Sequence, residues 1–342
     1  MKRALVISGG GSKGAFAVGV LQALKTTYPN LGFDHIIGTS TGALMAPLAA
    51  LGELNLLQTL YTTLHTPDVI TKHRLGDRLT QKSVYTAEPL WQLIKTHVTD
   101  ARYDQLLQSG PPVSITTVCV QTRQLVVWST KPITEGLGYV SKTIRNAEQL
   151  RLAVLASASQ PVFMTPVKVD FEDAVGVERD FQYVDGGLRA YAGVDMAVDG
   201  GAYEIFAVLL AARQPAIDNK TINSLFPMLE RTIDIFSTDV ADNDVVRLSE
   251  RQKFVLYLQA VQGRMKEDGM AVDKLNNYFA AAGADVFNKP VRLFTIQPEL
   301  PLGGGPGGLH FDPQEMQGML ATGKGAVQDF AALLKPEDIT WV

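Results

Sequence analysis

Two short stretches of the sequence contain residues that could do chemistry together. GGGSKG, at residues 9–14, has three glycines before a serine–lysine pair and a fourth glycine after it. GTSTG, at residues 38–42, places Ser40 between two glycines, each two positions away. A serine flanked in this way is typical of a nucleophile on a sharp strand-to-helix turn. Glycine-rich turns present backbone N–H groups to anionic oxygen, which could here be a cofactor's phosphate or the oxyanion of an acyl transfer.

The glycine loop by itself fits three interpretations. Gly9, Gly11 and Gly14 form G-x-G-x-x-G, and Asp34 follows at the distance typical of a dinucleotide-binding fold. However, Asp34 begins the second predicted strand, whereas the ribose-binding acid of that fold ends it. A Walker loop is disfavoured because Lys13 precedes the last glycine. A tight turn that binds nothing is the third interpretation.

The second stretch favours the oxyanion. Ser40 lies between a predicted strand, FDHIIG, and a predicted helix, TGALMAPLAAL, and Gly38 and Gly42 leave room for a sharp turn. An ordinary helix N-cap is the alternative for Ser40, but a cap requires neither glycine. The first predicted strand, RALVIS, ends in the glycine loop, and parallel strands bring both loops to one edge of the sheet. We therefore expect the amides around Gly10 and Gly11 to stabilise an oxyanion formed by attack of Ser40.

A serine nucleophile also needs a base. Of the five histidines, only His310 fits the Ser…Asp…His order of α/β-hydrolases, but it follows PLGGGPGG, a stretch expected to hold no single shape. Asp185, in YVDGGL, ends a predicted strand and is the other candidate, although Asp-Gly alone also indicates a simple turn. Partial burial beside the serine would raise the pKa of this carboxyl towards working pH.

Four blocks in this order, GGGSKG, GTSTG, ASASQPVFMTPV and DGG, resemble those of the patatin-like phospholipases, over about residues 3–210. The resemblance implies that Ser40 is the nucleophile and Asp185 the base of a Ser–Asp dyad. It implies hydrolysis of acyl esters of phospholipids and other lipids, without metal or cofactor, on a three-layer α/β/α fold with a central, mostly parallel sheet. The oxyanion region that it implies consists of Gly9, Gly10, Gly11 and Lys13.

The chain departs from the family's usual pattern at two places. Thr41 stands where an alanine usually follows the nucleophile, and LRAYAGVD follows DGG where many members have Asn-x-Pro. Candidates for the substrate pocket are Thr41 and, from the third block, Pro161, Phe163 and Met164. Phe163 and Met164 also fit ordinary core packing.

These residues favour a serine lipid acyl hydrolase, similar to a phospholipase A, lysophospholipase or esterase, that forms an acyl-enzyme. An acyltransferase would hand the same acyl group to another acceptor, and a non-catalytic lipid-binding protein would keep only the fold. Both alternatives stay open. The expected partner is a lipid acyl ester, free or at a membrane surface, and the oligomeric state is not indicated.

The remaining elements follow the alternation of strands and helices expected for an α/β protein. The pattern predicts a hairpin at 113–130, a helix after Asn146, strands in FQYVDGG, YEIFAVLLAA and VRLFTIQP, and a closing helix that begins at Asp312 or Pro313. We expect a single domain over 1–342, with a helical region at 221–280 and a strand and helix at 291–335 packed on it.

Composition narrows the class of protein. The 342 residues are 46% hydrophobic and 19% charged, as in a globular chain with a large core. A net charge of −4 without a basic run argues against nucleic acid as a partner. Cys119 is the only cysteine, so no intrachain disulfide can form. The sequence predicts neither a signal peptide nor a transmembrane helix, and we therefore expect a cytoplasmic location.

Overall fold

A computed structural model describes residues 2–73, 83–133, 136, 138–169, 179–214, 221–280 and 291–333. The strands within these ranges are β1 (Arg3–Ile7), β2 (His35–Gly38), β3 (Thr71–Lys72), β4 (Tyr85–Thr86), β5 (Val113–Cys119), β6 (Leu125–Ser129), β7 (Tyr139–Thr143), β8 (Tyr183–Asp185), β9 (Glu204–Val208) and β10 (Arg292–Ile296). The helices are α1 (Gly14–Thr27), α2 (Thr41–Ala50), α3 (Leu54–Thr63), α4 (Thr66–Val69), α5 (Glu88–His97), α6 (Asp100–Gln108), α7 (Ala147–Ala158), α8 (Val194–Asp199), α9 (Leu225–Glu267), α10 (Val272–Ala280) and α11 (Pro313–Leu333).

The described strands form one large central sheet and a small two-stranded one. The order in the large sheet is β10-β9-β1-β2-β5-β6-β7, with β8 paired to β5, and β3 pairs with β4. The strands β10, β9, β1, β2 and β5 are parallel, whereas β6 and β8 run antiparallel to β5. The carboxyl ends of the five parallel strands therefore meet at one edge, where ligands bind in open α/β sheets.

Helices cover both faces of this sheet, because its central strands are apolar on both sides. In β1, Leu5 and Ile7 belong to the hydrophobic core beneath α1, α2 and α7, whereas Ala4 and Val6 belong to a second core beneath α8. The predicted three-layer α/β/α architecture with a mostly parallel sheet is confirmed.

The local predictions agree with the structure at several ends of elements. Asn146 caps α7, since its side chain accepts a hydrogen bond from the backbone N–H of Gln149 at 2.8 Å. The helix α11 begins at Pro313, and the Asp312 carboxylate accepts from the N–H of Glu315 at 2.9 Å. The antiparallel pair β5 and β6 is the predicted hairpin.

The region 221–280 is helical, as predicted, and contains the long helix α9 followed by α10. The predicted C-terminal strand is β10, which pairs with β9 at the edge of the sheet. The predicted C-terminal element ends at residue 335, and its last two residues lie outside the described residues. The arrangement of the whole chain as a single domain stays a prediction.

Candidate active site

The register of β5 brings the candidate nucleophile and base together. The strand β2 pairs with the first part of β5, where Gly38 lies opposite Ile115. The strand β8 runs the other way and pairs with the second part of β5, where Asp185 lies opposite Thr117. Because β6 occupies the other side of β5, β2 and β8 lie in line on the same side and their carboxyl ends face each other. The residues just beyond these two ends therefore converge.

Ser40 has the backbone conformation of a nucleophile elbow. It lies between β2 and α2 with φ 56° and ψ −119°, a conformation that is rare for a residue other than glycine. Its side chain makes no hydrogen bond that would cap α2, so the alternative of an ordinary N-cap is not supported. The turn is tight on both sides: a β-carbon on Gly38 would overlap the carbonyl oxygen of Gly42, and one on Gly42 would overlap that of Ile7.

The Asp185 carboxylate is buried and faces Ser40. It accepts a hydrogen bond from the backbone N–H of Gly187 at 2.8 Å. Burial raises the pKa of Asp185 to about 6, although the interactions with the Ser40 hydroxyl and with this N–H act in the opposite direction. The carboxyl group is therefore a better proton acceptor near neutral pH than an exposed aspartate would be.

Residues at the end of α7 accept hydrogen bonds from the backbone of Ser40 and of Asp185. The backbone N–H of Ser40 donates to the Ser157 hydroxyl at 2.9 Å, and the N–H of Asp185 donates to the carbonyl oxygen of Ser159 at 3.0 Å. Both serines belong to the ASAS of the third sequence block. Sequence analysis missed their role, and the only available signal was the resemblance of that block to a segment near an active site.

The glycine loop lies beside Ser40. A β-carbon on Gly9 would come within 3.1 Å of the Ser40 β-carbon. Gly11 has φ 58°, in the left-handed region that favours glycine. Among the hydrogen bonds of the described residues, the backbone N–H groups of Gly10 and Gly11 have no acceptor. Two unpaired backbone donors beside a serine hydroxyl are the elements of an oxyanion site.

The C-terminal glycine stretch packs against this loop. A β-carbon on Gly308 would overlap the carbonyl oxygen of Gly10, and a β-carbon on Gly11 would overlap that of Gly308. On its other side the stretch is tied to the third block, because the Gln160 amide donates to the carbonyl oxygen of Gly307 at 3.3 Å. The stretch PLGGGPGG, expected from its glycine content to hold no single shape, thus packs closely against the glycine loop through its backbone.

These segments enclose a cleft of about 290 Å³ at the carboxyl edge of the sheet. Its wall includes six residues predicted for the site: Gly9, Gly10, Lys13, Ser40, Pro161 and Asp185. It also includes residues that sequence analysis did not single out, such as Gln160, Leu188, Tyr191, Leu210, Arg231 and Leu302. Arg231 belongs to α9 and Leu302 to the C-terminal stretch, and no motif pointed to either.

Three of the proposed pocket residues lie elsewhere. Phe163 and Met164 belong to the hydrophobic core and are almost completely buried. Thr41 is buried behind the nucleophile, where its hydroxyl forms a short hydrogen bond with that of Tyr61. Burial raises the pKa of Tyr61 to about 12, so the phenol stays protonated. The structure thus places Phe163, Met164 and Thr41 in supporting positions rather than on the wall of the cleft.

His310 is also outside the described cleft wall. Its ring is more than half exposed, and its Nδ1 lies 3.6 Å from a carboxylate oxygen of Glu315 on α11.

Within the described ranges, no helix is both long enough and apolar enough to cross a bilayer.

Known proteins resemble this chain in sequence or in backbone structure. A sequence model of the family described as "Patatin-like phospholipase" matches residues 5–198. The "cUMP-AMP-activated phospholipase" of Escherichia coli is 40% identical over 83 residues, which are 22% of this chain and 25% of that protein. The alignment therefore spans a quarter of the relative's length. A crystal structure of VipD from Legionella pneumophila superposes with a TM-score of 0.40 at 12% identity, covering 97% of this chain and 67% of that one. Because the family model spans more than half of the sequence and includes Ser40 and Asp185, the chain belongs to the patatin-like phospholipase family.

Proposed function

We propose that this chain is a serine lipid acyl hydrolase that uses Ser40 as nucleophile and Asp185 as general base. One observation carries the proposal: the pairing of β2 and β8 with β5 brings Ser40 next to the buried Asp185 carboxylate, whose pKa is raised to about 6. Membership of the patatin-like phospholipase family supports lipids as the class of substrate.

In the first half of the reaction, the Ser40 oxygen attacks the carbonyl carbon of the ester and its proton passes to Asp185. The negative charge that develops on the carbonyl oxygen is stabilised by the free N–H groups of Gly10 and Gly11. One such donor is typically worth about 3 kcal/mol in the transition state. When the intermediate collapses, the C–O bond of the ester breaks and Asp185 returns the proton to the leaving alcohol. The acyl group is left on Ser40.

In the second half, a water molecule replaces the leaving alcohol. Asp185 takes a proton from this water as it attacks the acyl-enzyme carbonyl, and the same amides stabilise the second oxyanion. The fatty acid leaves and the Ser40 hydroxyl is restored. The hydrogen bond from the backbone N–H of Gly187 supports this role because it orients the Asp185 carboxylate without a histidine.

A fluorophosphonate probe tests the nucleophile directly. We expect covalent labelling of Ser40 in the wild-type protein, located by mass spectrometry of the peptide, and no labelling of Ser40→Ala. Ser109→Ala, a change just beyond the end of α6, is the matched control and should be labelled as in the wild type. If the wild type is not labelled and releases no fatty acid from phospholipids or p-nitrophenyl esters, the proposed hydrolase is wrong. The alternative of a non-catalytic lipid-binding protein would then be favoured.

The products separate hydrolysis from acyl transfer. We expect free fatty acid to remain the main product when glycerol or another alcohol is added to the reaction. If the added alcohol is acylated in preference to water, the chain is an acyltransferase that uses the same acyl-enzyme.

A further inference from the structure

Four exposed apolar side chains belong to segments that line the cleft. They come from four separate segments: Val162 (44% exposed), Leu188 (36%), Ile235 (58%) and Leu300 (65%). We call these four residues the apolar rim. Single exposed apolar residues are ordinary on protein surfaces, whereas a set around one opening indicates an interaction site.

Three rim residues are placed by their neighbours in the cleft wall. Leu188 lines the cleft itself. Val162 follows Pro161, and Leu300 precedes Pro301, both of which line the cleft. These residues lie beyond α7, β8 and β10, in three segments that each contribute residues to the cleft wall.

Ile235 is placed by the geometry of α9. Arg231 and Thr238 of this helix line the cleft and lie two turns apart on one face. Ile235 is four residues after Arg231 and three before Thr238, so it lies between them along the edge of the same face. Phe236, the next residue, is also exposed, but it projects roughly 100° further around the helix and away from the cleft.

Val162 adds a further sign that the rim is functional. It has φ 71°, which is exceptional for a β-branched residue. The turn is held in this conformation by its neighbours, since the N–H groups of Val84 and Tyr85 donate to the carbonyl oxygens of Val162 and Phe163 at 3.1 and 2.8 Å. A strained backbone that displays an apolar side chain to water fits a surface made for contact.

We propose that the apolar rim inserts into a lipid surface and thereby presents lipid esters to the cleft. The inference rests on the proposed function, because a cleft that takes long-chain esters must obtain them from an aggregate. Charge supports the same occupant. Lys13 and Arg231 line the cleft, and the acidic residue among its described lining is the buried Asp185. Two cations inside an apolar rim suit the phosphates of a phospholipid surface.

Vesicle sedimentation tests the rim without requiring catalysis. The protein is the full chain carrying Ser40→Ala, mixed with sucrose-loaded vesicles of phosphatidylcholine and phosphatidylglycerol. We expect Val162→Ser, Leu300→Ser and Ile235→Ser, combined, to lower the bound fraction at least about tenfold, as expected when several apolar side chains no longer insert. The control, Leu107→Ser, changes an exposed leucine of α6. It lies before β5, at the opposite edge of the sheet, and should leave binding unchanged.

Turnover with Ser40 intact gives the second readout. The combined rim variant should lose hydrolysis of the vesicles but keep at least half of the hydrolysis of p-nitrophenyl butyrate, which is dissolved as single molecules. A wild type that hydrolyses this soluble ester but does not sediment with vesicles would overturn the rim and leave the proposed function standing. A wild type that binds vesicles through the rim but hydrolyses neither substrate would overturn the proposed function and leave the rim standing as a lipid contact.

Three further outcomes would also overturn the rim as a lipid contact. Equal sedimentation of the wild type and the combined variant would show that binding uses another surface. Loss of self-association in the variant, measured by size-exclusion chromatography and without loss of vesicle binding, would show that a second copy of the chain occupies the rim. If turnover of the soluble ester falls as far as vesicle turnover, the residues belong to the cleft rather than to a docking surface.

Discussion

The carbonyl oxygen of Gly10 lies so close to Gly308 that no β-carbon fits between them. The two residues are close to opposite ends of the sequence, and the contact presses the C-terminal stretch onto the loop whose amides we assign to the oxyanion. Gly308 also has φ 72°, so a side chain there would be strained in addition to overlapping Gly10.

We therefore expect Gly308→Ala to lower kcat/KM by about a hundredfold, similar to the loss of one oxyanion donor. The reason is that the loop at Gly10 and Gly11 must shift to accommodate the methyl group. The matched control is Gly318→Ala on α11, where a β-carbon meets no atom within 4 Å. Steady-state kinetics on a p-nitrophenyl ester measure kcat/KM of both variants, and thermal melting shows whether each variant stays folded. Full activity in a folded Gly308→Ala protein would mean that the C-terminal stretch does not position the amides.

The pH dependence of hydrolysis should report the ionisation of Asp185. Burial raises the pKa of this group to about 6, and only the carboxylate accepts the proton from Ser40. Below this value kcat/KM should fall about tenfold for each pH unit, and above it the rate should be level. The measurement is a pH–rate profile of the wild type between pH 4 and pH 9, limited to the range in which the protein stays folded. A profile that is flat through pH 6 would argue against Asp185 as the base.

Asp185→Asn should be inactive and more stable than the wild type at neutral pH. In the folded protein the pKa of Asp185 is raised from 3.8 to about 6, so the folded state prefers the protonated acid. The stability that this preference provides is present in full below pH 3.8 and is lost as the pH rises through about 6. Because asparagine carries no charge, the gain in free energy of unfolding of Asp185→Asn over the wild type should grow between pH 3.8 and about pH 6. Above pH 6 this gain should reach at most about 3 kcal/mol.

Urea unfolding at pH 4 and pH 8 measures this difference. Asparagine can still accept the hydrogen bond from Gly187, so the fold keeps that contact. If Asp185→Asn is less stable than the wild type at pH 8, burial of the charge does not dominate at this position.

His310→Ala should keep most of the wild-type activity. The ring is more than half exposed and faces Glu315 rather than the Ser40 hydroxyl. Ser40→Ala and Asp185→Asn serve as inactive references in the same assay. Should His310→Ala be as inactive as they are while remaining folded, a histidine carries the proton, and the direct role of Asp185 is wrong.

The proposed nucleophile and base could be singled out from sequence because their local patterns are distinctive. Ser40 needs glycines on both sides, and Asp185 ends a strand before two glycines, so both leave a pattern within five residues. The order of these patterns along the chain supplied the family, and the family supplied the fold. That the two residues touch follows from their pairing with β5, which short-range patterns do not encode.

The rest of the cleft has no local signature. Arg231 lies in a 43-residue helix whose sequence shows only that it is helical, and Gly308 lies in a run of glycines that resembles a loose loop. Their positions depend on packing between distant segments, which periodicity and motifs do not report. Phe163 and Met164 show the same limit: they belong to a block near the site, and of the two interpretations open from sequence, core packing is the one that the structure has.

The contact between Gly10 and Gly308 also sets an order of events during synthesis of the protein. The glycine loop, Ser40 and Asp185 leave the ribosome well before residues 301–308. Until that late stretch has emerged and folded, the nascent chain holds both members of the proposed dyad but lacks part of the cleft wall and the contact that supports the Gly10 and Gly11 amides. On our assignment, a chain that ends before residue 308 should therefore be a much poorer hydrolase than the full chain, although it carries both Ser40 and Asp185.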